Sequence, residues 1–562
     1  VEDCSIVLSG AAGMGIQTVE KLLTKILKNN NYHVFATKEV MSRVRGGNNS
    51  TEIRVSNHRV RAYRESIDLF VPLNPDAIMR HLKRISEKTI VMGESKSLDY
   101  EFETNAVYEI PFTAIAREIG NKLYTNTVAT GAICGLFDVD KAKAADFVYK
   151  TFENKGDQVA AENKKAFIQG YDASQKVKFK TYQKSTEQLE EELLINGADA
   201  VALGAIYGGV NFVSSYPMSP STTVLIAFAQ RAKKLGLVVE QAEDEIAAIN
   251  MACGASYAGG TAFATTSGGG LALMSEGISL AGIIETPVTI HIAQRPGPAT
   301  GLPTRTEQGD LNLALYSGHG DFPRAIFAPA TIETAFELSR HAVETAERFQ
   351  IPSFILTDQY FVDSYYNVPG FEFKDNQKPL IVETSDDYKR YRLTENGISP
   401  RGIPGYGKGI VKVDSDEHDE MGHITESFDV RVDMVHKRMK KLEALKKHVL
   451  KPIEHHGGQK KVLLIGWGST YDAIREAVEN LDDTRLNRMQ FEQVFPLPAN
   501  LKETLEQFEQ VIFIENNVTG QFAELVRKET GFSAFKQILK YNGMEFSVEE
   551  LTDEIKKQLG EG

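Results

Sequence analysis

Four groups of residues in this sequence have types and spacings that could do chemistry. Arg295 stands just past an apolar run, 288–293, in a polar loop with Gln294, Thr304, Arg305, Thr306 and Glu307 among glycines and prolines. A guanidinium there could clamp a carboxylate, since a bidentate pair both binds and orients; it could equally close a structural salt bridge. Ser219 lies in Tyr216-Pro217-Met218-Ser219-Pro220, where two prolines stiffen the loop. A stiff loop can present a hydroxyl to a substrate, although Ser219 and Ser221 could serve only as turn and cap. Lys38, Arg43 and Arg45 precede Gly46 and Gly47, and Arg54, Arg59, Arg61 and Arg64 follow. This basic focus in an acidic chain suits recognition of carboxylate or phosphate, or it is a solvated face. Glu245 opens a helix behind the short apolar run 237–239, and Thr266-Ser267-Gly268-Gly269-Gly270 turns from a strand into the next helix. Glycines there let backbone approach a ligand closely. The plain reading of Glu245 is a carboxylate stabilised at a helix N-terminus by the dipole.

The elements that must position these residues follow from pattern. Strand–loop–helix units in succession predict open parallel sheets with a site at the strand ends. A strand over 5–9 enters Gly10-Ala11-Ala12-Gly13-Met14-Gly15, and 16–27 has helical periodicity. That turn could hold phosphate on free backbone N–H groups or be a plain tight turn. It lacks the Lys and Ser/Thr of a P-loop, and its glycine spacing is not G-x-G-x-x-G. Strands over 52–56, 69–72 and 89–92 and helices over 75–85, 112–119 and 126–137 complete a first domain, with Cys134 a buried small hydrophobe. The polar stretch 182–192 reads as a linker.

A helix over 197–208 and a strand at 212–213 begin the second domain. Ser221 is placed to cap a helix over 222–235, the Glu245 helix ends in the small-residue patch 254–260, and strands follow over 261–266, 288–293 and 354–357. Next comes a loop-like region in which Asp416, Glu417, His418, Asp419, Glu420 and His423 crowd together. The spacing is H-x4-H, not H-E-x-x-H, and no metal is assigned there. The basic segment 429–449 reads as a solvent-facing helical connector. Strands over 462–465 and 511–515 with helices over 473–481 and 522–528 form a compact βαβ domain in which nothing looks catalytic. The domains are accordingly 1–185, 193–366, a linker and interface region 367–455, and 456–562.

Composition bounds the function. At 562 residues the chain exceeds one core. Sixty-three basic against 76 acidic side chains give a net charge of −13, which argues against nucleic acid as a partner. No apolar run is long enough for a membrane span. The first residues open a strand without a basic region, so no signal peptide is expected. Cys4, Cys134 and Cys253 are too few and too scattered for a disulfide framework or a four-cysteine cluster. A cytoplasmic protein is expected.

Tyr216-Pro217-Met218-Ser219-Pro220-Ser221-Thr222, Glu243-Asp244-Glu245-Ile246-Ala247-Ala248-Ile249, His291-Ile292-Ala293-Gln294-Arg295 and Gly301-Leu302-Pro303-Thr304 together resemble the 2-oxoacid:ferredoxin oxidoreductases. The resemblance is to an alpha subunit with a gamma domain fused at its N-terminus, in the 2-oxoglutarate branch, and it covers nearly the whole chain. Where Met218 and Ser219 stand the family usually has Ile and Thr; a hydroxyl remains, with a less restricted rotamer. The resemblance implies a multidomain α/β fold with a gamma domain, a thiamine-diphosphate-binding-like pyrimidine domain and a transketolase C-terminal-like domain. It implies oxidative decarboxylation of 2-oxoglutarate to succinyl-CoA and CO2, with electrons passed to ferredoxin. Cleavage between C1 and C2 leaves charge on a former carbonyl carbon, which thiamine diphosphate holds and side chains do not. Glu245 is then the carboxylate for the pyrimidine ring, with Gly254 nine residues on matching the pattern and Glu243 as second choice. Ser219, Arg295 in preference to Arg305, and Thr304 would meet the 2-oxoacid. Lys38 would reach the distal carboxylate across the domain junction. Arg43, Arg45, Gly46 and Gly47 would serve coenzyme A. Mg2+, a [4Fe-4S] cluster and the diphosphate end of the cofactor would belong to a separate beta subunit in an alpha2-beta2 assembly.

The residues leave rival readings open. One is a pyruvate-preferring or broad-range 2-oxoacid subunit. Another is a transketolase-like or dehydrogenase subunit that uses thiamine diphosphate without ferredoxin, against which the basic N-terminal segment argues. A third is a non-catalytic scaffold.

Overall fold

The structure, a computed structural model, describes residues 3–12, 15–41, 47–102, 105–373 and 380–560. The chain divides into two units. One comprises Val1–Ile195, Asp363–Gly370 and Ser547–Glu549; the other comprises Asn196–Val362, Phe371–Phe546 and Glu550–Gly562.

In the first unit the sheet runs through Val107–Glu109, Ile90–Gly93, Leu69–Pro72, Asp3–Ala11, Asn48–Ser56 and His33–Glu39, and continues with Tyr365–Val368. Asp3–Ala11 lies parallel to Leu69–Pro72 and antiparallel to Asn48–Ser56. The strand His33–Glu39, which carries Lys38, is one that pattern did not single out. Its apolar residues Val34, Phe35 and Ala36 are all buried, so no period-2 alternation marks it. The helix Ile16–Lys28 buries Ile16, Val19, Leu22, Leu23, Ile26 and Leu27 at helical spacing. Small residues let two other helices touch. A Cβ on Gly131, in Thr125–Cys134, would collide with the Phe167 carbonyl, and one on Gly170, in Asp157–Ala173, with that of Val128. Cys134 is fully buried beside this crossing, and burial pushes its thiol upward.

The stretch 182–192 is not a free linker. Tyr182 and Leu189 are buried, and Lys28 Nζ donates to the Glu192 carbonyl at 2.8 Å. Most of its polar side chains are exposed, so the stretch is anchored by its buried apolar residues and by contacts such as this one to its backbone.

In the second unit a sheet runs Gln493–Phe495, Ala325–Phe327, Pro352–Asp358, Val288–Gln294, Ala262–Thr266, Phe212–Ser215 and Val238–Gln241. All neighbours are parallel except the first pair. A second sheet runs Ile453–His455, Leu486–Phe491, Val462–Trp467, Gln510–Glu515 and Phe535–Leu539. The C-terminal region is therefore not closed on itself: Gln493–Phe495 completes the neighbouring sheet, and one hydrophobic core spans both. The helix Glu245–Tyr257 ends within the small-residue patch 254–260, with Ala258 at its C-cap. Ser221 does not cap Thr222–Leu235; its hydroxyl donates to the Met218 carbonyl at 2.6 Å.

The helix Phe428–Lys446 is also not solvent-facing on all sides. Lys437 and Lys441 are each 1% exposed and both meet the buried Glu285 carboxylate, Lys437 Nζ at 2.7 Å. Arg438 is buried and donates to Glu417. His418 is buried with its ring centroid 4.0 Å from that of Tyr391, and Asp419 accepts from the Met421 and His423 amides. The charged residues of 416–423 thus serve ion pairs, ring packing and turns. Among the described residues no helix is long and apolar enough to cross a membrane.

Candidate functional site

The carboxyl ends of four parallel strands, Phe212–Ser215, Ala262–Thr266, Val288–Gln294 and Pro352–Asp358, bring the second unit's candidate residues to one edge of the sheet. Ser215 Oγ donates to the Thr265 carbonyl at 2.6 Å, and Ser214 Oγ to the Ala248 carbonyl at 2.6 Å. These bonds fix the Glu245 helix and the Ser219 loop against the strand that leads to the glycines. His291 lies within the sheet, bonded to Thr265 and Thr357 at 2.8 Å each, and burial lowers its pKa to about 3. It is a neutral core residue.

Glu245 is 2% exposed, whereas Glu243 is exposed. Asp244, not Glu245, caps the helix, accepting from the Ala247 amide at 2.7 Å. That leaves the Glu245 side chain turned to another use. Its Oε1 has no hydrogen-bond partner among the described residues. Burial raises its carboxyl, and the Asp244 charge adds to the shift. Oε1 would stand 2.6 Å from a Cβ on Gly270, so only glycine fits beside it. Two residues earlier, a Cβ on Gly268 would collide with the Asp310 carboxylate. Ser267 Oγ and Asp310 Oδ2 are likewise buried without a partner among the described residues. A buried polar atom left unpaired is costly. Three of them around a wall without side chains mark a place built to be completed by a polar ligand.

Arg295 follows the strand Val288–Gln294 and is half-buried. Its guanidinium donates to the Ser219 carbonyl oxygen at 2.6 Å, so two expected substrate residues are adjacent. Ser219 is exposed and Thr304 half-buried.

Asp310 was not singled out by the sequence. Burial pushes its carboxyl up to about 7, the Glu307 charge adds, and Arg295 pulls the other way. Its amide donates to Gln294 Oε1 at 2.9 Å. The C-terminal region holds the loop that carries it. The Gln308 amide donates to the Asn516 carbonyl at 2.7 Å, Asn517 Nδ2 to the Gln308 carbonyl at 3.1 Å, and Gln521 Nε2 to the Gly309 carbonyl at 2.8 Å. A region that showed nothing catalytic therefore braces the site loop. The sequence signal for Asp310 was an acid three residues after Glu307 in a glycine-bearing loop.

The first unit has its own cavity of about 310 Å3, lined in part by Gly15, Glu20, Lys38, Asn49 and Thr51. Lys38 Nζ lies 2.8 Å from the Asp363 carboxylate. Arg43, Arg45 and Gly46 lie outside the described residues. Gly47 has φ +97°, and its carbonyl accepts from the Ala12 amide at 3.0 Å. The later arginines are not an open anion surface. Arg54 donates to Asp3, Arg64 to Asp3 and Glu549, and Arg59 to Glu192. Arg61 lies over the Tyr366 ring at 4.9 Å. Each had a remote acid or ring to meet, which spacing along the chain cannot reveal.

The family model for pyruvate flavodoxin/ferredoxin oxidoreductase, thiamine diphosphate-binding, matches residues 203–437, and that for pyruvate ferredoxin/flavodoxin oxidoreductase matches residues 5–173. The 2-oxoacid:ferredoxin oxidoreductase subunit alpha of a Sulfolobus species is 31% identical over 99% of this chain and 97% of that protein. Subunit alpha of the 2-oxoacid:ferredoxin oxidoreductase 1 of Sulfurisphaera tokodaii is 31% identical over 99% and 98%. A solved 2-oxoglutarate:ferredoxin oxidoreductase from Magnetococcus marinus, with 2-oxoglutarate, coenzyme A and succinyl-CoA bound, is 29% identical and covers 100% of both chains with a TM-score of 0.92.

Proposed function

This chain belongs to the 2-oxoacid:ferredoxin oxidoreductases as an alpha subunit, and from that premise we propose that it holds the pyrimidine end of thiamine diphosphate and serves the coenzyme A-dependent decarboxylation of 2-oxoglutarate to succinyl-CoA. The observation that carries this is Glu245 Oε1, buried and unpartnered beside Gly270. When bound, thiamine diphosphate supplies an electron sink for the carbon that loses CO2.

The residues fit that group. A carboxyl raised by burial can share a proton with a ring nitrogen. Glycines at 268 and 270 keep side chains off the wall beside it. Arg295 offers a fork to the carboxylate at the 2-oxoacid end, and its bond to the Ser219 carbonyl fixes its direction. The Ser219 hydroxyl is the donor for the 2-oxo group, with Thr304 in the loop that follows Arg295.

The preference for 2-oxoglutarate rests on two supports. One is the Magnetococcus marinus protein, similar over its full length and solved with 2-oxoglutarate, coenzyme A and succinyl-CoA. The other is Lys38, a half-buried cation in a cavity wall, offered to a second carboxylate. Arg43, Arg45, Gly46 and Gly47 are assigned to coenzyme A. In this reading 1–185 is the gamma domain, 193–366 the pyrimidine domain, 367–455 the connecting interface region and 456–562 a transketolase C-terminal-like domain. Cys4, Cys134 and Cys253 are all buried and far apart in sequence, so electrons leave through a partner. That partner is a beta subunit with a [4Fe-4S] cluster, Mg2+ and the diphosphate end, in a cytoplasmic alpha2-beta2 assembly that reduces ferredoxin.

Copurification and assay test this directly. The complex should be brown, and should reduce dye with 2-oxoglutarate and coenzyme A faster than with pyruvate; the chain alone should do neither. A colourless complex, or full activity from the isolated chain, overturns the shared site.

A further inference from the structure

Arg295 is half-buried beside a second charged group that the reaction as described does not use. Asp310 sits in a loop held at both ends: its own amide is bonded to Gln294 on the Arg295 strand, and residues 308–309 are bonded to Asn516, Asn517 and Gln521. Its carboxylate lies against Gly268, where no Cβ would fit, and its Oδ2 is buried without a partner among the described residues. The charged groups that face it are Arg295 and Glu307. Glu245 stands two residues along the same glycine turn, at Gly270.

A substrate carboxylate that arrives at Arg295 meets this arrangement with a charge problem. One guanidinium would face two anions in a poorly solvated place, and Arg295 would cease to offset the Asp310 charge. The carboxylate packs against Gly268, and the backbone that carries it is pinned, which disfavours its turning away. The remaining outcome is neutralisation by a proton.

We propose that Asp310 is a specificity-determining residue that takes up one proton as a 2-oxoacid carboxylate binds at Arg295, so that the site accepts a monoanionic head without two carboxylates opposing one cation. This rests on the reading of Arg295 above. Burial has already brought the free carboxyl to about 7, so little separates its two states near neutrality. The sign follows by linkage. Ligand raises the Asp310 pKa further, so binding favours the protonated form. Affinity is then flat below about pH 7 and falls by up to about tenfold per pH unit above it, until the pKa of the bound state is passed. Arrival of a neutral or amide-headed analogue brings no second anion and takes up no proton.

The probe is N-oxalylglycine, an unreactive isostere of 2-oxoglutarate. It is titrated calorimetrically into the complete alpha–beta complex in buffers of different ionisation enthalpy. At pH 8 binding should take up close to one proton per site, and at pH 6 about a tenth of one. Asp310→Asn, a neutral mimic of the protonated acid, should bind with pH-independent affinity and no uptake. Wild-type binding without proton uptake at pH 8, or unchanged uptake in D310N, overturns the proposal. Should D310N fail to assemble, the wild-type titration decides alone. Arg295→Gln separates this proposal from its premise. Affinity that survives in R295Q removes the premise itself. Affinity lost in R295Q, together with no uptake in the wild type, removes only the role of Asp310.

Discussion

Lys38 Nζ lies 2.8 Å from the carboxylate of Asp363, a residue far along the chain that returns to the first unit just before Tyr365–Val368 joins its sheet. Burial opposes the Lys38 charge, but Asp363 outweighs it and raises the ammonium pKa. The candidate contact for a distal substrate carboxylate is thus a fixed, fully charged group rather than a floppy surface lysine.

Lys38→Ala should therefore raise KM for 2-oxoglutarate by roughly 10-fold or more while leaving pyruvate within a few fold. Because K38A also strands Asp363, the double variant K38A/D363N serves as the control. Assay of both substrates at several coenzyme A concentrations decides. Equal losses on both substrates, or a change only in the coenzyme A requirement, would move Lys38 out of the substrate site.

Glu245→Gln keeps the shape and hydrogen-bonding capacity of the side chain but removes the titrating proton. In the assembled complex turnover should fall by roughly 10²-fold or more, with Tm unchanged or raised, since a buried acid whose Oε1 has no partner among the described residues is replaced by an amide. Near-normal turnover in correctly assembled E245Q would exclude the acid–base role.

Gly270→Ala puts a methyl group where Thr266 and Glu245 already stand. The expected cost is about 1–3 kcal/mol of stability from overpacking, together with weakened thiamine diphosphate binding. Thermal melts with and without the cofactor check both. A G270A protein that melts and binds as the wild type does would show the wall beside Glu245 to be roomy.

Glu285 is the anion for two buried ammonium groups. Burial alone would raise its carboxyl, but Lys441 and then Lys437 hold it well below the ordinary carboxylate value of 4.5. A carboxyl with a depressed folded pKa contributes stability that is fully present above the unfolded value and fades as acid approaches the folded one. Glu285→Gln leaves two buried cations without their anion and should cost roughly 3–5 kcal/mol at neutral pH. The deficit relative to wild type should shrink at low pH. Chemical denaturation at two pH values measures it, and a loss that stays constant from neutrality into strong acid would contradict the ion-pair account.

Local pattern determined much of this protein. The strand Leu69–Pro72 coincides with its short apolar run, and the helices Phe112–Ile119 and Thr222–Leu235 coincide with their periodic stretches, because burial of one helix face writes a period into the sequence. Glu245 at a helix start was legible for a related reason, whereas the glycines 268–270, read as a turn into a helix, are the first turn of the helix Gly268–Leu273. Helix beginnings and close backbone approaches demand particular residue types within a few positions.

What the sequence could not determine were the partners of its charges. Arg54, Arg59 and Arg64 read as a basic face and are ion-paired to Asp3, Glu192 and Glu549; Lys437 and Lys441 read as solvated and are sealed against Glu285. Asp310 gained its place from Gln294 before it and from Asn516, Asn517 and Gln521 some two hundred residues after it. Periodicity is a property of neighbours along the chain. Charge pairing and desolvation depend on which distant segments the fold brings within a few ångströms, and only the tertiary structure decides that.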